Sequence, residues 1–364
     1  MERLYPRLEI KLDQIENNIR KIVGLCKNSN INITGVIKGY NGIPSVSKAF
    51  VENGCADIGS SRIEQLKAMK DMDKDIKTMM IRIPMLSEVE EIVKYADTSL
   101  NSELTTVEAL NEKCGKFGKT HKVILMFDVG DIREGYFDAL EIVEAAKTIE
   151  TDMEHIELMG VGTNIGCYGS IKPTIKNMNR LIEVAEMIEK TIERKLEIIS
   201  GGATTSVTLV KDDIMPERIN HLRVGEEILL NRDLVEYWGY EFSDMHDDNF
   251  ILIAEIVEIK DKPSYPVGEI FIDAFGNITE YEDIGIRKKA ILGVGRQDFG
   301  DHTKLIPIDA NTQIIGSSSD HLIVDISDSD KRYKIGDTIS FNLYYGAMLF
   351  ASNSDYVAKK IIRK

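Results

Sequence analysis

The chain has 364 residues, 43% hydrophobic and 29% charged, enough for one large domain or two smaller ones at roughly 100 to 200 residues each. Its 45 Lys and Arg face 60 Asp and Glu, a formal charge of −15, which repels the phosphate backbone that a general nucleic-acid binder must neutralise. No apolar run approaches the ~18 residues that cross a bilayer, and the opening Met1-Glu-Arg-Leu-Tyr-Pro is no signal peptide, so a cytoplasmic protein without nucleic-acid or membrane partners is expected.

Up to Tyr237, short β-rich segments alternate with longer stretches of helical period, the pattern of a parallel sheet built from βα units. The predicted strands are Ile33 to Ile37, Ala56 to Gly59, Lys77 to Ile83, Ala96 to Leu100, Val123 to Asp128, Leu158 to Gly162, Glu197 to Ser200 and His221 to Val224. Several are continuous apolar runs, as expected when both faces are covered. The intervening helices are predicted over Leu12 to Cys26, Ser45 to Asn53, Ile63 to Asp71, Ser87 to Tyr95, Thr106 to Lys116, Ala139 to Thr148 and Pro173 to Arg194, with Pro173 suited to a first turn. Eight such units point to a closed (β/α)8 TIM barrel over 11–242. A doubly wound open sheet competes, but no GxGxxG follows the first strand.

After Asn249 the rhythm becomes strands with short turns: Ile251 to Ile259, Glu269 to Ala274, Lys289 to Gly295, His321 to Ile326 and Thr338 to Leu343. Turn chemistry at Phe275-Gly-Asn277 and Ser327-Asp-Ser-Asp330 fits a C-terminal β domain over 243–364, which residues 1–10 could join as a strand. Cys26, Cys55, Cys114 and Cys167 show neither CxxC spacing nor the density of a disulfide framework, so they read as free thiols. The six histidines do not pair with them at zinc-finger spacing, and no metal site is expected.

In a βα barrel, polar groups at the C-terminal strand ends converge on one mouth. Here those ends carry Lys38, then Asp128 with Arg133, Thr163-Asn164, the run Ser200-Gly-Gly-Ala-Thr204-Thr205-Ser206, and Arg223-Val-Gly225. A lysine at a strand end is more often a surface residue, but at a partly desolvated rim its amine becomes nucleophilic and suited to a Schiff base. The run from Gly201 to Ser206 fits an ordinary capped loop as well as a phosphate held by backbone amides and hydroxyls.

Together these residues resemble the alanine racemase family. The similarity runs through Gly35-Val-Ile-Lys38-Gly-Tyr40-Asn41-Gly42, Asp128-Val-Gly-Asp-Ile-Arg133-Glu-Gly135, Gly160-Val-Gly-Thr-Asn164 and Arg223-Val-Gly225-Glu226. Gly295-Arg-Gln-Asp298 and Ser318-Ser-Asp-His-Leu322 are similar to its alanine/ornithine racemase subgroup. The resemblance implies a homodimeric enzyme with pyridoxal 5′-phosphate (PLP), in which Lys38 holds the cofactor and then serves as base on one face of the substrate Cα. It also implies Arg133 near the phenolic oxygen and Arg223 at the pyridine nitrogen. Thr204, Thr205, Ser206 and Gly225 would contact the phosphate, with Tyr40, Asn164, Ser200 and Tyr356 as further cofactor contacts.

The family's second base is a tyrosine, and Arg296 stands where it is expected, a poor proton-transfer residue. Asp320 and His321 are the candidates to replace it, since imidazole is the side chain best suited to proton transfer near neutral pH. Tyr344 and Tyr345 stand in reserve, while Arg296 could bind the substrate carboxylate or brace Asp298. Racemisation of ornithine is the implied activity, with Asp298, Asp320 and Glu226 available to an acidic pocket. An alanine or broad-specificity racemase, an aldolase or dehydratase of the same fold, and a noncatalytic PLP-binding protein are the alternatives. The long β domain argues against the last.

Overall fold

Eight short strands, covered on both faces, pair side by side until the last meets the first. The computed structural model describes residues 4–276, 278 and 280–363. These form two compact units, one of residues 14–246 and one of the residues through 13 together with 247 onward. Strand β1 (Arg7–Lys11) belongs to the second unit. The first unit holds the closed parallel barrel of β2 (Asn32–Val36), β3 (Asp57–Ser60), β4 (Thr78–Met80), β5 (Thr98–Asn101), β6 (His121–Met126), β7 (Ile156–Gly162), β8 (Ile198–Ser200) and β9 (His221–Val224).

Seven of these strands lie within two residues of their predicted limits. The third, β4, is shorter than Lys77 to Ile83, because Arg82 donates to the Ser61 carbonyl at 3.1 Å and pairs with Glu88 at 2.5 Å, turning the chain out of the ladder. The helix predicted from Pro173 spans Ile175–Ile192. Thr174 caps it in reciprocal bonds with Asn177, which places Pro173 before the cap rather than in the first turn.

Alternate residues of a strand face opposite ways. Val123 and Leu125 pack beneath the helices, whereas Ile124 and Met126 point inward with Met79, Leu100 and Met159. Thr34, Asp57, Ser200, His221 and Arg223 share this inward face: Thr34 pairs in register with both Asp57 and Arg223, and Ser200 with His221. The interior is thus apolar on one side and polar on the other. Close approach of β7 and β8 requires Gly160, where a Cβ would lie 1.8 Å from the Ile198 carbonyl oxygen.

A short helix, Glu226–Leu230, follows β9. Burial pushes the Glu226 carboxyl up to about 9 and that of Glu227 up to about 8. The Leu234 amide offsets only part of the effect at Glu227, whose side chain is fully enclosed.

In the second unit, β1 joins β10 (Phe250–Pro263), β11 (Ile286–Leu292), β12 (Leu305–Pro307), β13 (Gln313–Ser317), β14 (Leu322–Asp325), β15 (Thr338–Leu343) and β16 (Ala358–Ile362) in one eight-stranded sheet. Strand β1 lies antiparallel to β10 and parallel to β16. The strand predicted over Glu269 to Ala274 is absent. The β10–β11 ladder ends at Pro263 opposite Ile286, so among the described residues no strand pairs with this segment, and Val267 and Phe271 are 93% and 79% exposed. Asn277 of the predicted Phe275-Gly-Asn277 turn lies outside the described residues. A nine-residue helix, Tyr345–Asn353, interrupts the strands. Among the described residues no helix is long and apolar enough to cross a membrane.

Two outcomes follow for stability. Gly160→Ala forces β7 and β8 apart and is expected to destabilise the protein by about 3 kcal/mol or more, read from the denaturant midpoint. For Glu227, the folded pKa exceeds the unfolded value of 4.5, so its favourable contribution is complete below 4.5 and is lost as pH rises toward about 8. One such group changes stability by about 1.4 kcal/mol per pH unit within that window. Glu227→Gln should therefore flatten the decline in stability with rising pH; an unchanged slope in denaturation titrations would contradict a protonated Glu227.

Candidate active site

Lys38 opens a 3-10 turn, Lys38–Tyr40, just beyond the C-terminal end of β2. The turn ends in left-handed backbone at Asn41 and Gly42. Asn41 accepts from Gln65 Nε2 at 3.0 Å, and Gln65 in turn accepts from Ser60 Oγ at 2.6 Å. This support was not evident from local pattern, since its members come from three separate segments. Tyr40 is enclosed beneath the turn, with its ring stacked 6.0 Å from Phe50 and its hydroxyl 3.1 Å from Ser47.

Burial lowers the pKa of the Lys38 amine. Cys167 and Glu134 oppose that effect, while Arg133 and Arg223 add to it. The same shift favours a neutral, nucleophilic amine. Lys38, Arg133, Glu134, Cys167 and Arg223 therefore form one electrostatic group at the strand ends.

Arg223 is buried on β9 and directs its guanidinium across the barrel. Its Nη2 donates to the Thr163 carbonyl and to Asn164 Oδ1, each at 2.7 Å, while Nη1 donates to Ser200 Oγ. Burial pushes its pKa down to about 10, with Glu134 and Cys167 opposing, so the group remains charged at neutral pH. Asn164 donates through Nδ2 to Glu134, which pairs with Arg133. Burial works against the charge of Arg133, yet Glu134 outweighs it and the pKa rises.

The loops beyond β6 and β7 are tied together by Asp131. Its two carboxylate oxygens accept from the Gly166 and Tyr168 amides, each at 3.1 Å, on either side of the exposed Cys167. Thr205 Oγ1 adds a bond to the Ile165 carbonyl at 2.9 Å. Glu134 and Cys167 are residues of this cluster that the sequence did not assign to the site.

Thr204–Ser206 forms a 3-10 turn leading into the helix Val207–Lys211. Gly202 reaches φ +116°, and a Cβ there would lie 2.6 Å from Ser206 Oγ. The Ser206 hydroxyl donates to the Gly201 carbonyl at 2.7 Å and so shapes the turn. The Ser206 amide donates to the Ala203 carbonyl at 3.0 Å, closing the turn. Gly225 leaves room beside Val36, whose Cβ would be 3.0 Å from an added methyl. A nucleophilic amine, a charged guanidinium and a hydroxyl-bearing turn fit the donor set that a phosphorylated pyridine aldehyde requires.

The remaining candidates lie in the sheet unit. Arg296 starts the short helix Arg296–Phe299, with Nε 2.9 Å from Ser317 Oγ and its guanidinium 4.0 Å above the Phe275 ring. Ser317 also meets His302 Nδ1 at 2.8 Å, and burial followed by Arg296 lowers the His302 pKa. His302 was not foreseen, since it is remote in sequence from Arg296's other contacts. Gly295 permits the approach of the neighbouring turn, because a Cβ would lie 1.9 Å from the Ser319 carbonyl oxygen. On that turn, exposed Asp320 accepts from Gln297 Nε2 at 2.8 Å, and the exposed His321 has its amide 3.1 Å from Ser318 Oγ.

Two of the three carboxylates expected for an acidic pocket have other roles. Asp298 is buried and accepts from Ser354 Oγ at 2.9 Å and the Gly295 amide at 3.2 Å, bracing its own turn. Glu226, with its raised pKa, carries a proton at neutral pH. Tyr356 is 60% exposed, with its amide 3.2 Å from Ser354 Oγ.

Residues 10–230 match the family model described as the alanine racemase N-terminal domain. Over 359 residues the chain is 43% identical to an ornithine racemase of Acetoanaerobium sticklandii, covering 99% of this chain and all of that protein. It is 36% identical to a lysine racemase of Thermotoga maritima over 98% of both chains. In fold it is similar to an alanine racemase from E. faecalis, with a TM-score of 0.74 at 13% identity over the whole of both chains. The two full-length relatives and the match across the barrel lead to one conclusion: this chain belongs to the alanine racemase family.

Proposed function

We propose that this protein is a PLP-dependent racemase of amino acids that interconverts L- and D-ornithine. The observation that carries the reading is the Lys38 amine, shifted toward its neutral form within the electrostatic reach of Arg133 and Arg223. The full-length likeness to an ornithine racemase supports the choice of substrate.

Lys38 would hold the cofactor through its amine, with Arg223 at the ring nitrogen and Arg133 at the phenolic oxygen. The amides and hydroxyls of 204–206, with Gly225, would take the phosphate. When bound, PLP supplies an electron sink for the Cα–H bond of an attached amino acid. The Lys38 amine would remove or return the Cα proton on its own face. Arg223 would donate a hydrogen bond while keeping its proton, which would limit the sink and favour prompt return of a proton over side reactions.

On the other face, Asp320 and His321 are the proposed proton carriers. Arg296, held by Ser317 and Phe275, is suited to bind the substrate carboxylate. Among the three carboxylates weighed for the substrate's distal ammonium, Asp320 is the exposed one. A cytoplasmic homodimer, in which the partner copy presents the Arg296 turn, completes the proposal.

Lys38→Ala should abolish the visible absorbance of lysine-bound PLP and lower racemisation at least ~10³-fold. Retained absorbance and turnover would contradict the assignment. With L-ornithine, L-lysine and L-alanine offered separately and products resolved by chiral chromatography, ornithine should have the highest kcat/KM. Turnover of alanine with ornithine unchanged would overturn the substrate reading.

A further inference from the structure

Behind Arg223, the barrel interior contains polar side chains that the proposed chemistry does not use. Ser200 Oγ, which accepts from Arg223 Nη1, lies 2.8 Å from His221 Nδ1. On the far side of that ring, Nε2 lies 2.7 Å from Thr34 Oγ1. Thr34 stands beside Asp57 in register; burial raises the Asp57 pKa to about 6, and the Thr34 hydroxyl acts against that rise. Thr34, Ser200, His221 and Arg223 are all buried.

The ends of this chain determine its polarity. A guanidinium can only donate, so Ser200 accepts from it and has one hydroxyl proton to give onward. That proton goes to His221 Nδ1, leaving the proton of the neutral ring on Nε2. His221 then donates to Thr34, whose own proton is left to turn toward the neighbouring carboxylate, an acceptor when ionised. Met79 Sδ, 3.9 Å from Thr34 Oγ1, is the weaker competing acceptor. Burial, reinforced by the charge of Arg223, pushes the His221 pKa down to about 3, so the ring stays neutral through the physiological range.

We propose that His221 is a positioning residue for Arg223, acting through Ser200 in a single tautomer to fix the direction of the guanidinium at the barrel mouth. The consequence for catalysis rests on the proposed racemase reading, whereas the wire itself does not. Rotation of Arg223 would break the bonds to Thr163, Asn164 and Ser200 together. An arginine held from behind delivers its hydrogen bond without reorganising at each turnover.

The test uses the full chain with ring-¹⁵N histidine and no cofactor. His221 is assigned by its loss in His221→Gln, and its two nitrogens are followed from pH 5.5 to 9. The expected result is protonated Nε2, bare Nδ1 and no titration, with the Nδ1 signal moving in Ser200→Ala. Protonation on Nδ1, or titration near the ordinary histidine value of ~6.5, overturns the proposal.

In the PLP-loaded enzyme, His221→Leu should lower kcat about 10- to 100-fold, with little change in KM and a displaced cofactor absorbance maximum. His221→Gln, whose amide can accept from Ser200 and donate to Thr34, should restore kcat to within about 3-fold, the rescue expected when both hydrogen bonds are replaced. Wild-type behaviour in His221→Leu, or equal losses in both variants, would also overturn the positioning role. If the wild type racemises no amino acid, the functional reading fails, and the ring-nitrogen measurement still decides the wire.

Discussion

A guanidinium buried inside a barrel must find enough oxygen to replace water, and at Arg223 that requirement organises the surrounding strands. Desolvating a charge without partners costs several kcal/mol, so the backbone and side chains must be placed accurately. Thr163 and Asn164 follow β7, and Ser200 ends β8. Arg223 therefore joins three consecutive strands at their C-terminal ends. Its partners extend through Asn164 and Glu134 to Arg133, so a second charge is oriented by the same network. The alternation Arg133, Glu134, Arg223 lets two cations occupy a confined mouth beside Lys38.

Loop tethers preserve that arrangement. Asp131 holds the segment around Cys167 by two backbone amides, and Thr205 fastens it from the next loop. Gln65 supports the turn after Lys38 from the following βα unit. These contacts use short polar side chains at helix and strand boundaries, where they satisfy backbone groups that the regular elements leave free. The sheet unit solves a similar problem for Arg296 with one serine hydroxyl and one aromatic face.

The barrel was legible because its strands are continuous apolar runs and its helices repeat every three to four residues. The C-terminal sheet was harder to read. Glu269 to Ala274 has the local composition of a strand but no adjacent strand among the described residues, and pairing is not encoded in composition. Conversely, Leu305–Pro307, Gln313–Ser317 and Ala358–Ile362 are short or largely polar, and become strands through their partners. At the candidate site, Lys38, Asn164, Ser200 and Arg223 were visible as polar strand ends. Glu134 was not, since a carboxylate next to an arginine reads as a surface pair until Asn164 from another strand meets it. His221 read only as the start of a strand, because its partners Ser200 and Thr34 lie 21 and 187 residues away.

Strand β1 precedes the barrel in the chain, yet its sheet neighbours come after it. Leu8 pairs with Leu252 on one side and with Lys359 on the other. Every barrel strand has been synthesised before the first of those neighbours emerges, and the second follows about a hundred residues later. At roughly 5–20 residues per second, β1 waits tens of seconds on the ribosome before its edge is covered. Its exposed hydrogen-bonding groups during that interval are a template for pairing with another nascent chain, so the rate of translation bears on the yield of folded protein independently of the stability of either finished unit.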